Sequence, residues 1–269
     1  VSSRNAGNEN FPVASRLLPA SVRGHVMAFY AFARTADDIA DAPGLAGEEK
    51  IKALDFLSRQ LTDGEAEPSS PADALRQSLE ATGVTPDHAQ QLLKAFKRDA
   101  VKPTTDDWAD LLAYCALSAA PVGRYLIDLT GGVEGGDYAA SDALCAALQI
   151  LNHIQDIKDD CANLGRVYVP ADWMAAAGVT HDDLRANAAT PALRCVINRM
   201  LDGVDGLLLQ AKPLPRRIKS KALAREAGGI LAIAWRLSKA LRVNDPLAGR
   251  VQLAKPQAAL WFLWGALTA

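Results

Sequence analysis

Arg34-Thr35-Ala36-Asp37-Asp38-Ile39-Ala40-Asp41 and Asn152-His153-Ile154-Gln155-Asp156-Ile157-Lys158-Asp159-Asp160 are the two stretches that decide how this chain folds. Each holds a pair of aspartates at i,i+4 spacing, Asp37/Asp41 and Asp156/Asp160. On an α-helix that spacing stacks both carboxylates on one face, with Cβ atoms roughly 5–6 Å apart. Each stretch also closes an apolar-periodic run, one just before Pro43-Gly44 and the other just before Gly165. The carboxylates therefore fall at the negative end of a helix dipole, where each costs roughly 0.3–1 kcal/mol. Like charges one turn apart add a few tenths more. A sequence retains such a conflict where a function compensates for it. Hard divalent cations, which take oxygen ligands, would do so.

Outward from these stretches the pattern is helical almost throughout, with no useful run of strand-like alternation. Helices are predicted at about Pro19–Asp41, Glu48–Leu61, Pro71–Ala81 and from Pro86, and then from a cap at Thr105 or Asp106 to about Leu129. Pro121 lies inside that last one and predicts a break near Ala119. Ser141 is expected to cap the helix carrying the second acidic stretch. Further helices are predicted at Pro170–Ala177, Pro191–Gln210 and Pro215–Leu241. No polar linker or repeat divides the chain, so one all-α domain over residues 1–269 is expected.

Composition sets the outer bounds. The 269 residues are 49% hydrophobic and carry a net charge of −2, enough for a sizeable core and without the basic excess of a nucleic-acid binder. Cys115, Cys145, Cys161 and Cys195 form no CxxC pair, so a reducing, cytoplasmic setting is expected. The histidines make no zinc pattern. Val1–Asn10 is polar, with no run resembling a signal peptide. The apolar end, Ala258-Ala259-Leu260-Trp261-Phe262-Leu263-Trp264-Gly265-Ala266-Leu267, is too short to span a bilayer, which takes about 20 residues. It reads as a packed last helix, with an interfacial anchor as the second choice. The basic run Arg216-Arg217-Ile218-Lys219-Ser220-Lys221 reads as a solvated helix face, with attraction to anionic lipid as its second choice.

Two acidic helices facing each other would present six carboxylates, those of Asp37, Asp38, Asp41, Asp156, Asp159 and Asp160. Magnesium, with manganese as a substitute, prefers six oxygens and recruits phosphate rather than a full protein cage. Such a cluster could hold a diphosphate and neutralise the charge that builds as a carbon–oxygen bond breaks. Asn152, one turn before Asp156, could add a neutral oxygen, and Arg34 and Arg166 could clamp phosphate oxygens. A carbocation so formed needs a dry apolar pocket. A merely solvated acidic face explains one such cluster well and two matched clusters poorly. An EF-hand is excluded by spacing.

Three segments resemble the squalene/phytoene synthase family over nearly the whole chain. They are Tyr30 to Asp41 (YxFxRxxDDxxD), Tyr114 to Arg124 (YCxxxAxxVG), and Gln149 to Asp160 (QxxNxxRDxxED) continuing into Arg166-Val167-Tyr168-Val169-Pro170 (RxYxP). The resemblance implies the all-helical isoprenoid synthase fold around a central cavity. It also implies magnesium-diphosphate binding at Asp37, Asp41, Asp156 and Asp160 with help from Asn152, and a role for Tyr114 in proton transfer or cation steering. It extends the diphosphate-binding set to Arg34, Arg166, Tyr168, Asn152 and Gln155, with Asp38 counted among the catalytic acids. Gln155 stands where most members carry arginine, and Asp159 where they carry glutamate. Asn8–Ser15 and Ser118–Arg124 resemble the hydroxysqualene synthase branch of hopanoid biosynthesis. That branch takes presqualene diphosphate, releases diphosphate and quenches the rearranged cation with water. A presqualene diphosphate or phytoene synthase joining two prenyl diphosphates is the alternative, and a non-catalytic assembly protein a distant third. No nicotinamide (NADPH) is expected, because no GxGxxG loop is present.

Overall fold

α1 (Ala20–Asp41) turns Val26, Phe29, Phe32, Ala36 and Ala40 inward at three- and four-residue spacing, as its sequence period requires. In the computed structural model, which describes residues 17–64 and 67–269, that stripe meets α2 (Gly47–Thr62), α3 (Pro71–Thr82) and α4 (Asp87–Val101). Ser70 caps α3 by accepting from the Asp73 N–H, and Pro71 occupies its first turn. Phe32, Leu54, Leu75 and Leu93 are fully buried here, each worth roughly 1.5–3 kcal/mol by transfer from water. Tyr125 reaches in from α6 (Ala120–Leu129) and stacks on Phe29 at 4.1 Å between ring centroids.

A second core lies around α7 (Ala139–Gln155). It is built with α5 (Trp108–Ser118), α11 (Pro191–Ala211) and α13 (Lys221–Val243). α8 (Ile157–Asp159) and a π-turn over Asp160–Leu164 follow α7, and α9 (Ala171–Ala177) and α10 (His181–Arg185) lead to α11. α12 (Leu214–Arg217) precedes α13, and α14 (Lys255–Leu267) closes the chain. Among the described residues there is no strand, only two isolated β-bridges, Thr104 with Val167 and Val133 with Ile218.

Three expectations change. Asp107, not Thr105 or Asp106, caps α5, its Oδ1 accepting from the Asp110 N–H at 2.8 Å. Ser141 does not cap α7; it lies buried in the first turn, against Gly123. The helix predicted at Pro215–Leu241 is broken. Ile218 is extended (φ −74°, ψ 128°) and pairs with Val133, the Lys219 N–H donates to Gly132 O at 3.2 Å, and Ser220 caps α13 afresh. The basic run therefore straddles a break rather than opening one helix. The break predicted by Pro121 stands, with Ala119 (φ −125°) between α5 and α6.

α14 packs along α13, and glycine makes the approach possible. A Cβ on Gly228 would lie 2.5 Å from the Gly265 carbonyl oxygen, and one on Gly229 would meet the Phe262 ring at 2.6 Å. Trp261 lies under the Arg236 guanidinium, 3.4 Å from the ring centroid. No helix among the described residues is long and apolar enough to cross a membrane.

Candidate active site

α1 ends at Asp41 as its sequence predicts, leaving its last carbonyls without helical partners. Two cations answer one of them. The Ala40 oxygen accepts from Lys50 Nζ at 2.7 Å and from Arg166 Nη2 at 3.1 Å. Arg166 Nη1 also sits 2.7 Å from Asp41 Oδ1. Arg34 binds two carboxylates on its own helix, Asp37 and Asp38, each at 2.8 Å. Asp37 and Asp41 are half-buried, whereas Asp38 is exposed and faces outward. Burial, then the neighbouring Asp41 charge, pushes the Asp37 carboxyl up to about 6, against the pull of Arg34 and Arg166.

The second acidic stretch leaves α7 through a distorted turn. Asp156 departs from helical dihedrals (φ −106°, ψ 12°), yet the ladder runs on. Its N–H donates to Asn152 O at 2.9 Å, and the Asp160 N–H donates to Asp156 O at 2.8 Å. The following π-turn ends at Gly165 (φ 65°), a left-handed position that suits glycine, and the Arg166 N–H returns to Asp160 O at 3.0 Å. The next residue, Val167, pairs with the α4–α5 loop. Its N–H donates to Pro103 O at 2.8 Å and its carbonyl accepts from the Thr105 N–H at 3.1 Å. That clamp is what aims Arg166 at Asp41, so the two acidic segments flank one short segment, Arg166–Tyr168.

Asp156 is buried and paired with Arg250 Nη1 at 2.8 Å. Gln155 is buried beside it, its Nε2 donating to Val251 O at 2.6 Å, so it tethers the loop between α13 and α14. Asn152 is half-buried one turn back, Asp160 lies 3.7 Å from His153 Nδ1, and Asp159 is exposed. Tyr114 donates its hydroxyl to Asp99 Oδ2 at 2.8 Å and lies 3.3 Å from the Tyr168 hydroxyl. His153 stacks on Tyr168 at 3.7 Å. Burial, reinforced by the surrounding negative groups, drives both phenols far above their ordinary range, so they stay protonated. Burial also raises the Asp99 carboxyl, with Arg166 pulling it back.

The structure thus brings Asp41, Arg166, Tyr168, Tyr114 and Asp160 to one end of the bundle and turns Asp38 and Asp159 away. Asp99, Arg250, Lys50 and His153 are members of this constellation that the sequence did not single out. Asp99 left a trace, a carboxylate on the apolar stripe of Leu92 and Ala95; Arg250 left none. A hollow of about 10 Å³, room for little more than one water, lies beside His153, Asp160, Arg166 and Tyr168. A second, of about 200 Å³, opens on the other side of Val167 against Thr105 and Met174.

An all-helical bundle with this pair of acidic helix ends has the isoprenoid synthase fold. The squalene/phytoene synthase family matches residues 4–257. A hydroxysqualene synthase of Rhodopseudomonas palustris is 40% identical over all of this chain and 91% of its own length. One from Sinorhizobium fredii is 38% identical over 91% of this chain and 84% of its own. The crystal structure of squalene synthase HpnC from Alicyclobacillus acidocaldarius is 35% identical over 86% of each chain, with a TM-score of 0.74. A dehydrosqualene synthase structure shares the fold at 19% identity, covering 96% of this chain and 90% of its own, with a TM-score of 0.76. The chain belongs to the squalene/phytoene synthase family, a family of enzymes that act on prenyl diphosphates.

Proposed function

We propose that this protein is a hydroxysqualene synthase: it ionises presqualene diphosphate, lets the cyclopropylcarbinyl cation rearrange, and quenches it with water. The observation that carries this most directly is that relatives of that name match 91–100% of the chain at 37–40% identity. The branch-like segment Asn8–Ser15 falls outside the described residues.

The residues suit magnesium. The donors at both helix ends are hard oxygens: Asp37 and Asp41 on one, Asp156, Asp160 and Asn152 on the other. Burial, then the neighbouring Asp41 charge, raises the Asp37 carboxyl, and a bound cation would draw it back down. Among the described residues no three acidic, histidine or cysteine side chains converge to enclose a metal alone. Magnesium takes one or two protein carboxylates and completes its shell with phosphate and water. Bound magnesium supplies charge to a departing diphosphate.

The chain's own side chains do the rest. Arg166, Arg34 and Arg250 are each held at a carboxylate of an acidic segment and could donate to phosphate oxygens there. The C–O bond breaks with its electron pair leaving on diphosphate. The rings of Tyr168 and His153 line the hollow, with Tyr114 packed against Tyr168, and the phenol faces suit a cation. Water oxygen then forms the new bond and loses a proton. The hollows are small for a thirty-carbon chain, since drug-sized pockets run roughly 300–1,000 Å³. The flanking helices therefore part when substrate enters. Activity is tested by giving the protein magnesium with presqualene diphosphate alone, or farnesyl diphosphate alone, in ¹⁸O-water. Labelled hydroxysqualene from the first supports the proposal. Presqualene diphosphate formed from the second, with no turnover of the first, would replace it with the condensing reaction.

A further inference from the structure

We infer that the exposed face of α14, with the cations along the α13–α14 seam, is a docking surface for an anionic lipid bilayer. From Ala258 to Leu267 this helix has no charged side chain. A helix apolar all round is ordinarily buried. Here one face packs on α13, while Leu260, Leu263, Trp264 and Leu267 remain 64%, 59%, 56% and 84% exposed. Their i, i+3, i+4, i+7 spacing makes them one stripe.

Charge names the occupant. The whole chain is at −2, yet Gly206–Ala269 contains eleven lysines and arginines and two acids, Glu226 and Asp245; of the eleven, Arg217, Arg242 and Arg250 pair with acids elsewhere in the chain. Glu226 is buried, and Asp245 accepts from the Ala189 and Leu247 N–H groups. No acid on α13 or α14 therefore opposes the exposed cations Lys221, Arg225, Lys239 and Lys255. Arg225 and Lys239 flank the seam, one turn before Gly229 and one turn after Arg236. A thirteen-residue helix is too short to span. It suits the interface, with Trp264 at headgroup depth and the seam cations on lipid phosphates. Arg250 and the Val251 carbonyl, which contact the second acidic segment, belong to the loop that feeds α14. The docked helix would therefore hold the site's rim near the bilayer. That consequence rests on the proposed function; the docking itself does not.

The test is co-sedimentation of the full chain with phosphatidylglycerol/phosphatidylcholine vesicles and with pure phosphatidylcholine vesicles, at low and high salt and without substrate. Binding is expected to the anionic vesicles, weakening about fivefold for each of Arg225→Gln and Lys239→Gln. It should fall about tenfold or more for the exposed-face variant Leu260→Gln/Leu263→Gln/Trp264→Gln/Leu267→Gln. Light scattering and the thermal unfolding of that variant are measured alongside. The inference fails if wild-type protein ignores anionic vesicles, or if the four-fold variant keeps its fold and binds equally. It also fails if the wild type is a dimer that this variant dissociates, which would make the face an interface between copies. If the four-fold variant unfolds, the two single charge variants decide, and equal binding by both overturns it.

Discussion

Replacing Arg166 by methionine should destabilise the protein in a manner that depends on pH. Arg166 is buried and pairs with Asp41 at 2.7 Å. Removing one partner of a fully buried pair costs about 3–5 kcal/mol. The Asp41 side chain is 33% exposed, so solvent screens part of the loss and about 2–3 kcal/mol is the better figure. The Ala40 carbonyl adds little, because Lys50 Nζ still donates to it. Asp99 supplies the pH dependence. Its folded carboxyl is already raised by burial, and Arg166 is the main group holding it down. Without Arg166 it rises further. The folded state then binds a proton that the unfolded state has lost, so stability falls as pH climbs from the ordinary carboxylate range through the new folded value. Urea unfolding at pH 5 and pH 8 should show a larger loss for Arg166→Met at pH 8. Adding Asp99→Asn should flatten that difference. An equal loss at both pH values, or a loss below about 1 kcal/mol, would refute the reasoning.

Three other outcomes follow from the contacts. Gly123→Ala places a Cβ 2.5 Å from Ser141 Oγ and 2.6 Å from Cys145 Sγ, and should cost about 1–3 kcal/mol in thermal unfolding, partly recovered by adding Ser141→Ala. Arg250→Ala strips Asp156 of its guanidinium. Calorimetric titration should then show magnesium alone binding more tightly and magnesium pyrophosphate about tenfold more weakly. Gln155→Arg breaks the Val251 tether at a buried position and should lower Tm by on the order of 10 °C, whereas an altered product at unchanged Tm would give Gln155 a direct role in the chemistry.

What the sequence revealed was local. The acidic end of α1, the break at Ala119 and the first-turn proline of α3 each follow from residues within one or two turns, and each stands, whereas the second acidic stretch leaves its helix at Gln155. Arg250 meeting Asp156 and Tyr114 meeting Asp99 depend on how separate helices pack, which no periodicity encodes. The break at Ile218 escaped notice for the same reason, since its partner, Val133, lies far back along the chain. The arginine partners of Asp41 and Asp156 were likewise invisible: Arg34, the partner of Asp37, alone is close in sequence, and Arg166 reaches Asp41 only because Val167 is clamped to Pro103 and Thr105.

The wide π-turn over Asp160–Leu164 makes residue count matter more than residue identity there. Deleting one residue would tighten it toward ordinary α geometry and rotate everything beyond by about 100°. Arg166 would swing off Asp41, and Tyr168 off Tyr114. Single-codon deletions in this turn should be tolerated far less than exchanges of its exposed side chains, a pattern that a deletion scan would display as a sharp trough.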